Sequence, residues 1–286
     1  MAEAKKKTVK KSTPAKKTVK KSVTKKPVAK KVAVKEVKEV STKNVSVLQS
    51  SNSVPYILGI VVVALLVLFG AFLINEQRSK KDAKVAAEKA VAFKEDYESL
   101  NGQKIQNSNQ EYRTVSIPED NPFYEVKDTD IVDMINKKET FYVYFGDKKC
   151  PWCRSTIEKA VEVAKKYNVD RIYYVAIWDD NYNEIVRDKY RLNGTKLEVV
   201  SEGSEAYKEL LKAFDSKLSD YTLKSDAGVE IEVGEKRIYA PNFFYVKDGK
   251  LEKFVAGESE LQKGAFDELT DEILADEEKQ FTEFFK

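Results

Sequence analysis

The sequence predicts an α/β domain, a mixed central sheet flanked by helices, preceded by a transmembrane helix and a stalk helix. Three observations carry that reading. An uncharged apolar run fills positions 56–74, strand-like and helix-like stretches alternate from Tyr112 onward, and Cys150 and Cys153 fall between one such strand and the helix after it.

Charge divides the chain before any element is assigned. Positions 1–44 hold 16 Lys against 3 Glu, a net of +13, which leaves 34 Lys/Arg and 44 Asp/Glu beyond them, a net of −10. Between the two lies an uncharged gap running from Asn44 to Asn75. The basic part repeats Lys-Lys-Thr-Val-Lys-Lys-Ser at 6–12 and 16–22 and contains no aromatic residue. It buries too little apolar surface to offset the entropy of ordering it, so 1–54 is expected to be a disordered, Lys-rich cytoplasmic tail. Anionic lipid is its expected partner, at about 1 kcal/mol per basic residue near the surface. Nucleic acid is disfavoured, because a phosphate backbone accepts any run of lysines without selectivity.

As a helix, the run at 56–74 spans ~28 Å, close to the ~30 Å hydrocarbon core of a bilayer. It is longer than the apolar part of a signal peptide, and no Ala-x-Ala site follows it directly, so 55–75 reads as an uncleaved anchor. Lysines crowd the side before it, whereas Glu76, Arg78, Lys80, Lys81 and Asp82 follow. The positive-inside bias then predicts a single-pass cell-membrane protein with a cytoplasmic N-terminus and an extracytoplasmic C-terminal domain.

In the stalk, 76–102, the residues Ala83, Ala86, Ala90, Phe93, Tyr97 and Leu100 form a narrow apolar stripe on a helix ending near Gly102. So short a stripe is expected to pack on its own domain; a dimer seam, which takes three or four heptads, is the alternative.

The domain itself is placed at 103–286. Aromatic and β-branched runs predict strands at 123–126, 140–145, 171–178, 243–246 and 251–255. Helical spacing predicts helices at 128–138 and from the cysteines through Lys166, the latter with Ile157, Ala160, Val161 and Ala164 inward. The turn Lys247-Asp248-Gly249-Lys250 joins the last two strands as a hairpin, which makes the sheet mixed. A polar stretch at 181–238 is expected to be a helical insertion, with an amphipathic helix near 204–218 and a hairpin around 229–233. A charged terminal helix is expected from about Glu258, with Leu261, Phe266, Leu269, Ile273 and Leu274 inward.

Two cysteines and no histidine remove most chemistry at once. A structural zinc site takes about four ligands, a Ser–His or Cys–His couple needs an imidazole, and a secreted disulfide framework needs several bridges. No metal or cofactor is expected. The dithiol that remains, Cys150-Pro151-Trp152-Cys153, opens a helix, where unpaired N–H groups and the positive end of the dipole favour a thiolate. Lys148, Lys149 and Arg154 are expected to add positive charge, and in such settings a thiol pKa falls to about 3.5–7.5. Cys150 is the expected nucleophile and Cys153, one turn on, the resolving partner. Pro151 at the first turn forfeits no hydrogen bond.

The chain resembles the thioredoxin superfamily in the strand before the cysteines, the Cys150–Cys153 motif, the strand at 171–178, the Ala240-Pro241 step and the turn at 247–250. That resemblance implies a thioredoxin-like fold with a cis-proline facing the dithiol. It also implies a substrate surface made of Pro151, Trp152, Ala240 and Pro241. The stretch Tyr144-Phe145-Gly146 with Cys150-Pro151-Trp152-Cys153-Arg154, and the stretch Lys236-Arg237-Ile238-Tyr239-Ala240-Pro241, look like the membrane-anchored thioredoxin-like proteins of Gram-positive bacteria, including bacteriocin-transport accessory proteins. Two departures stand out. Thioredoxins proper carry Gly-Pro between the cysteines and a buried acid six positions before the first, where this chain has Pro-Trp and Tyr144. The expectation is a membrane-tethered thiol–disulfide oxidoreductase acting on exported proteins, with a redox partner protein. The alternative is a non-catalytic envelope accessory module on the same fold.

Overall fold

The computed structural model describes residues 53–286, with side chains from Leu58 onward; the segment 1–52, and with it nearly all of the expected Lys-rich tail, lies outside the described residues. Helix α1 (Ser53–Glu98) is unbroken over 46 residues. The expected membrane span and stalk are thus one helix. Between positions 75 and 82 there is neither Pro nor Gly, and the ion pairs Glu76–Lys80 and Lys84–Glu88 lie one turn apart along it. The first half of α1 leaves Leu58, Val63, Leu66, Phe69 and Ile74 exposed, and with a mean hydropathy of 2.8 it is long and apolar enough to cross a membrane.

Its last turns belong to the globular core. Ala90, Phe93 and Tyr97 are buried, while Ala83 at the start of the stripe stays exposed. The Phe93 ring stacks on Phe123 with centroids 4.4 Å apart and meets Tyr174 edge-on at 5.1 Å. Burial of a side chain that size contributes about 1.5–3 kcal/mol, enough to fix the helix on the domain.

The core elements then follow as β1 (Phe123–Glu125), α2 (Asp128–Asn136), β2 (Phe141–Gly146), α3 (Pro151–Lys166) and β3 (Ile172–Ala176). After an insertion, β8 (Asn242–Lys247), β9 (Lys250–Val255) and α5 (Asp271–Phe285) complete the chain. The sheet order is β1-β3-β2-β8-β9, with β1, β3 and β2 parallel and β8 and β9 antiparallel. This is a mixed sheet flanked by helices, consistent with a thioredoxin-like fold. Strand β2 is central, and its run of apolar residues is buried on both faces as a covered strand requires. One face packs against the end of α1, α3 and α5 through Tyr97, Tyr144, Ile157, Tyr174, Phe243 and Phe281. The other packs against α2 and the insertion through Ile131, Val143, Phe145, Leu210 and Phe244. Asp248 and Gly249 both take positive φ, 51° and 73°, as a two-residue hairpin turn demands.

Two expectations are corrected. The insertion is not chiefly helical: it holds the hairpin β4 (Lys189–Asn193) and β5 (Lys196–Ser201), one helix α4 (Glu205–Phe214), and the hairpin β6 (Ser219–Lys224) and β7 (Glu230–Arg237). The stretch 229–233 is mostly the start of β7 rather than a hairpin of its own. Apart from Tyr221 and Arg237 these strands hold only exposed and half-buried residues, and they are dense in charge, so their period-2 apolar signal is faint. The terminal helix starts at Asp271, not near Glu258. Before it, the Asp267 carboxylate accepts from the N–H groups of Lys263 and Gly264, which holds a turn, and Leu261 and Phe266 are exposed. The Thr270 hydroxyl caps α5 by accepting from Ile273 N, and the inward positions are Ile273, Glu277, Phe281, Phe284 and Phe285.

Candidate dithiol site

Strand β2 ends at Gly146, and four residues later Cys150 is the N-cap of α3, with extended backbone at φ −76° and ψ 115°. Its sulfur accepts from the Cys153 N–H at 3.4 Å, so a thiol fills the position where a Ser or Asp oxygen commonly caps a helix. Pro151 occupies the first turn, whose N–H would be unpaired in any case. Cys150 is 5% exposed and Cys153 is fully buried beneath it. Both are free thiols.

The facing wall comes from the far end of the sequence. The Cys150 thiol donates to the Ala240 carbonyl at 3.3 Å, and the Ala240-Pro241 peptide is cis. Pro241 is buried at the start of β8, the strand that pairs with β2, and the half-buried Trp152 and Ala240 pack on the same core. The six residues singled out from the sequence therefore lie together: Cys150, Pro151, Trp152 and Cys153 at the start of α3, Ala240 and Pro241 opposite.

The basic residues behave differently from expectation. Lys148 pairs with Asp96 on α1 and lies 3.4 Å from Asp180, and Lys149 donates to the Asp179 carbonyl. Arg154 is wholly buried and points away from the sulfurs into the seam between α1 and α3. It donates to the carbonyls of Arg113 at 2.7 Å, Tyr97 at 2.8 Å and Lys148 at 3.1 Å, and to Asn101 Oδ1 at 2.6 Å. Its role is to bind the end of α1 to the dithiol helix, because a buried guanidinium needs its donors filled.

Three further residues border the site. Burial drives the Cys153 thiol pKa well above the ordinary range and the neighbouring Cys150 sulfur adds to this, while the polar groups of Tyr144 and the Asp147 backbone pull it back. Tyr144, at the position of the acid in thioredoxins, is fully buried on β2, and its hydroxyl lies 2.9 Å from that of Tyr97 on α1. Asp147, 2% exposed, accepts from the N–H groups of Lys149 and Trp178; burial pushes its carboxyl up to about 6. Tyr144 was visible in the sequence as a departure from the thioredoxin pattern. Tyr97 carried no such signal, since its apolar spacing says only that it faces a core. Among the described residues no group of three or more Cys, Asp or Glu is placed to hold a metal ion.

No protein-family model and no curated protein matches the chain. Solved structures similar to it include a thioredoxin-fold protein from Helicobacter pylori, at 15% identity over 52% of this chain and 85% of that one, with a TM-score of 0.21. A likeness at that score adds nothing to what the strand order and the dithiol geometry say on their own.

Proposed function

We propose that the chain is a membrane-tethered thiol–disulfide oxidoreductase that acts on exported proteins through Cys150 and Cys153. One observation carries the reading: the Cys150 sulfur caps a helix and meets the Ala240 carbonyl beside Pro241, with a second thiol directly below. Cys150 is the nucleophile toward a client disulfide, and Cys153 resolves the mixed disulfide that results. Pro151, Trp152, Ala240 and Pro241 form the surface that the client chain meets. The segment 55–75 is the membrane anchor, the Lys-rich tail is cytoplasmic and drawn to anionic lipid, and the domain is extracytoplasmic with a redox partner protein. Because α1 continues unbroken from Asn75 to Tyr97, it holds the site roughly 33 Å from the end of the apolar run. The membrane-anchored subtype, like the bacteriocin-transport accessory proteins of Gram-positive bacteria, rests on the two stretches at 144–154 and 236–241.

The test is a trap. Full-length Cys153→Ser protein expressed in a Gram-positive host accumulates disulfide-linked client adducts that thiol reagents release, and Cys150→Ser protein accumulates none. Absence of adducts from the Cys153→Ser protein refutes the reading. The 5% exposure of Cys150 favours one rival, an envelope accessory module whose cysteines are incidental. That rival predicts unchanged cellular function for the double Cys→Ser protein, which the oxidoreductase reading forbids.

A further inference from the structure

The wall opposite Cys150 lies between two strands. Residues 238–241 follow the end of β7 at Arg237 and precede the start of β8 at Asn242, so they belong to neither ladder. Side chains hold them instead. The Ile238 N–H donates to the Tyr207 hydroxyl of α4 at 3.2 Å, and the Ile238 carbonyl accepts from Arg187 Nη1 at 3.3 Å. The Tyr239 hydroxyl donates to the Asp220 carbonyl at 3.0 Å. Tyr207, Arg187 and Asp220 all belong to the insertion, which therefore sets where Ala240 lies.

Arg187 is held in turn by one carboxylate. The Glu184 side chain, 5% exposed, accepts from Arg187 through both oxygens, at 2.6 and 2.9 Å. It also accepts from Arg237 Nη2 at 3.1 Å and from the Trp178 indole N–H at 2.9 Å. Trp178 leads back to the dithiol loop. Its backbone N–H donates to Asp147 Oδ2 at 3.3 Å, and the Asp147 carbonyl accepts from the Cys150 N–H at 3.1 Å. Hydrogen bonds thus run from Cys150 through Asp147, Trp178, Glu184 and Arg187 to Ile238, two residues before Ala240. A guanidinium can grip a carboxylate with two N–H groups and still reach a carbonyl with a third, which an ammonium cannot do. Two buried guanidinium groups and a carboxylate are costly to take out of water unless paired, and here the pairing is what joins the two walls.

We propose that Glu184 and Arg187 are positioning residues of thiol exchange: they hold the Ala240 carbonyl where the backbone N–H of a client meets it, and so favour polypeptide clients over small disulfides. The proposal deepens the oxidoreductase reading and rests on it. In the reduced protein the Cys150 thiol donates to that carbonyl. On attack the thiol proton goes to solvent, an S–S bond forms between Cys150 and one client sulfur, the client S–S bond breaks, and the other client sulfur leaves as a thiolate. One disulfide replaces another, so the step needs no outside oxidant or reductant. It leaves the Ala240 carbonyl without its donor. A client backbone supplies a new one in register, which lowers the barrier for a peptide and does nothing for a small disulfide.

The experiment uses the reduced full-length protein in detergent and two probes that release the same coloured aromatic thiolate. One is the symmetric aromatic disulfide; the other is a short peptide whose single cysteine is joined to that aromatic thiol. The aromatic thiol is the better leaving group, so Cys150 attacks the peptide sulfur. The ratio of the two rates for the first equivalent released reports the backbone contact. Glu184→Gln is expected to lower the peptide-to-aromatic ratio about tenfold. Arg187→Lys keeps a charge beside Glu184 but loses the reach to Ile238, and should lower the ratio about threefold, with little further loss when Glu184 is already Gln. Glu198→Gln, which breaks the Arg191–Glu198 pair elsewhere in the insertion, should leave the ratio as it is. A general loosening of the fold moves both probes together and does not change the ratio. An unchanged ratio in Glu184→Gln, or an equal fall in Glu198→Gln, overturns the proposal. If Glu184→Gln fails to fold, Arg187→Lys decides alone: an unchanged ratio overturns it. Unsubstituted protein that releases colour from neither probe overturns the parent reading and this one with it, an outcome distinct from the others.

Discussion

Glu277→Gln should change how stability depends on pH, by an amount that can be worked out in advance. Glu277 lies at an inward position of α5, fully buried, and neither carboxylate oxygen has a hydrogen-bond partner. Burial pushes its carboxyl up to about 8; Lys159 on α3 and Arg113 before β1 draw it down, and Asp276 and Glu258 push it further up. At neutral pH the folded protein therefore holds Glu277 protonated. Below the ordinary value of 4.5 both the folded and unfolded chains are protonated, and the group imposes no penalty. As pH rises through the interval up to about 8, only the unfolded chain releases the proton, so stability falls by about 1.4 kcal/mol per unit. Above that interval the full penalty, roughly 4–5 kcal/mol as an order of magnitude, is in place.

Glutamine keeps the volume and removes the titration. The variant should match the parent near about pH 5 and exceed it by roughly 4 kcal/mol near about pH 9. Urea unfolding at several pH values measures this, read by the fluorescence of Trp152 and Trp178, the two tryptophans of the chain. The difference between variant and parent isolates Glu277 from other titrating groups such as Asp147. A difference that is flat with pH, or that falls as pH rises, would refute the reasoning.

Two further outcomes follow from packing. Arg154→Met leaves the carbonyls of Arg113, Tyr97 and Lys148 and the Asn101 oxygen without their shared donor, and should cost about 3–5 kcal/mol in the same urea titration; a loss below about 1 kcal/mol would mean those groups find water instead. Gly146→Ala places a Cβ on the Tyr144 phenol, so it should destabilise by about 1–3 kcal/mol, whereas a neutral result would show that the phenol has room to move.

Much of the fold was readable where its signals are local. The inner strands β2, β3 and β8 carry contiguous aromatic and β-branched residues, because a strand covered on both faces must be apolar at nearly every position. The inward residues Ile157, Ala160, Val161 and Ala164 of α3 are all buried, as their spacing requires. The stalk stripe likewise faces the core at Ala90, Phe93 and Tyr97. Where tertiary burial is partial, the pattern faded: apart from Tyr221, β4, β5 and β6 hold only exposed and half-buried residues, and Leu261 and Phe266 are exposed despite their helical spacing. Hydrophobicity alone does not say whether a residue will find a partner.

The sequence by itself determined the dithiol and its place at the start of a helix, because only two residues separate the cysteines and a helix start is a property of neighbours along the chain. It also determined a helix long and apolar enough to cross a membrane. Only the tertiary structure decided what surrounds the sulfurs. Ala240 reaches Cys150 across 90 residues, and Tyr97 reaches Tyr144 across 47, from a helix that the sequence assigned to the stalk. It also decided where the positive charges go, since Arg154, next to Cys153 in the chain, turns away to spend four hydrogen bonds elsewhere. Hydrogen bonds and burial act through space, and no local pattern records which distant groups folding will bring within 3 Å.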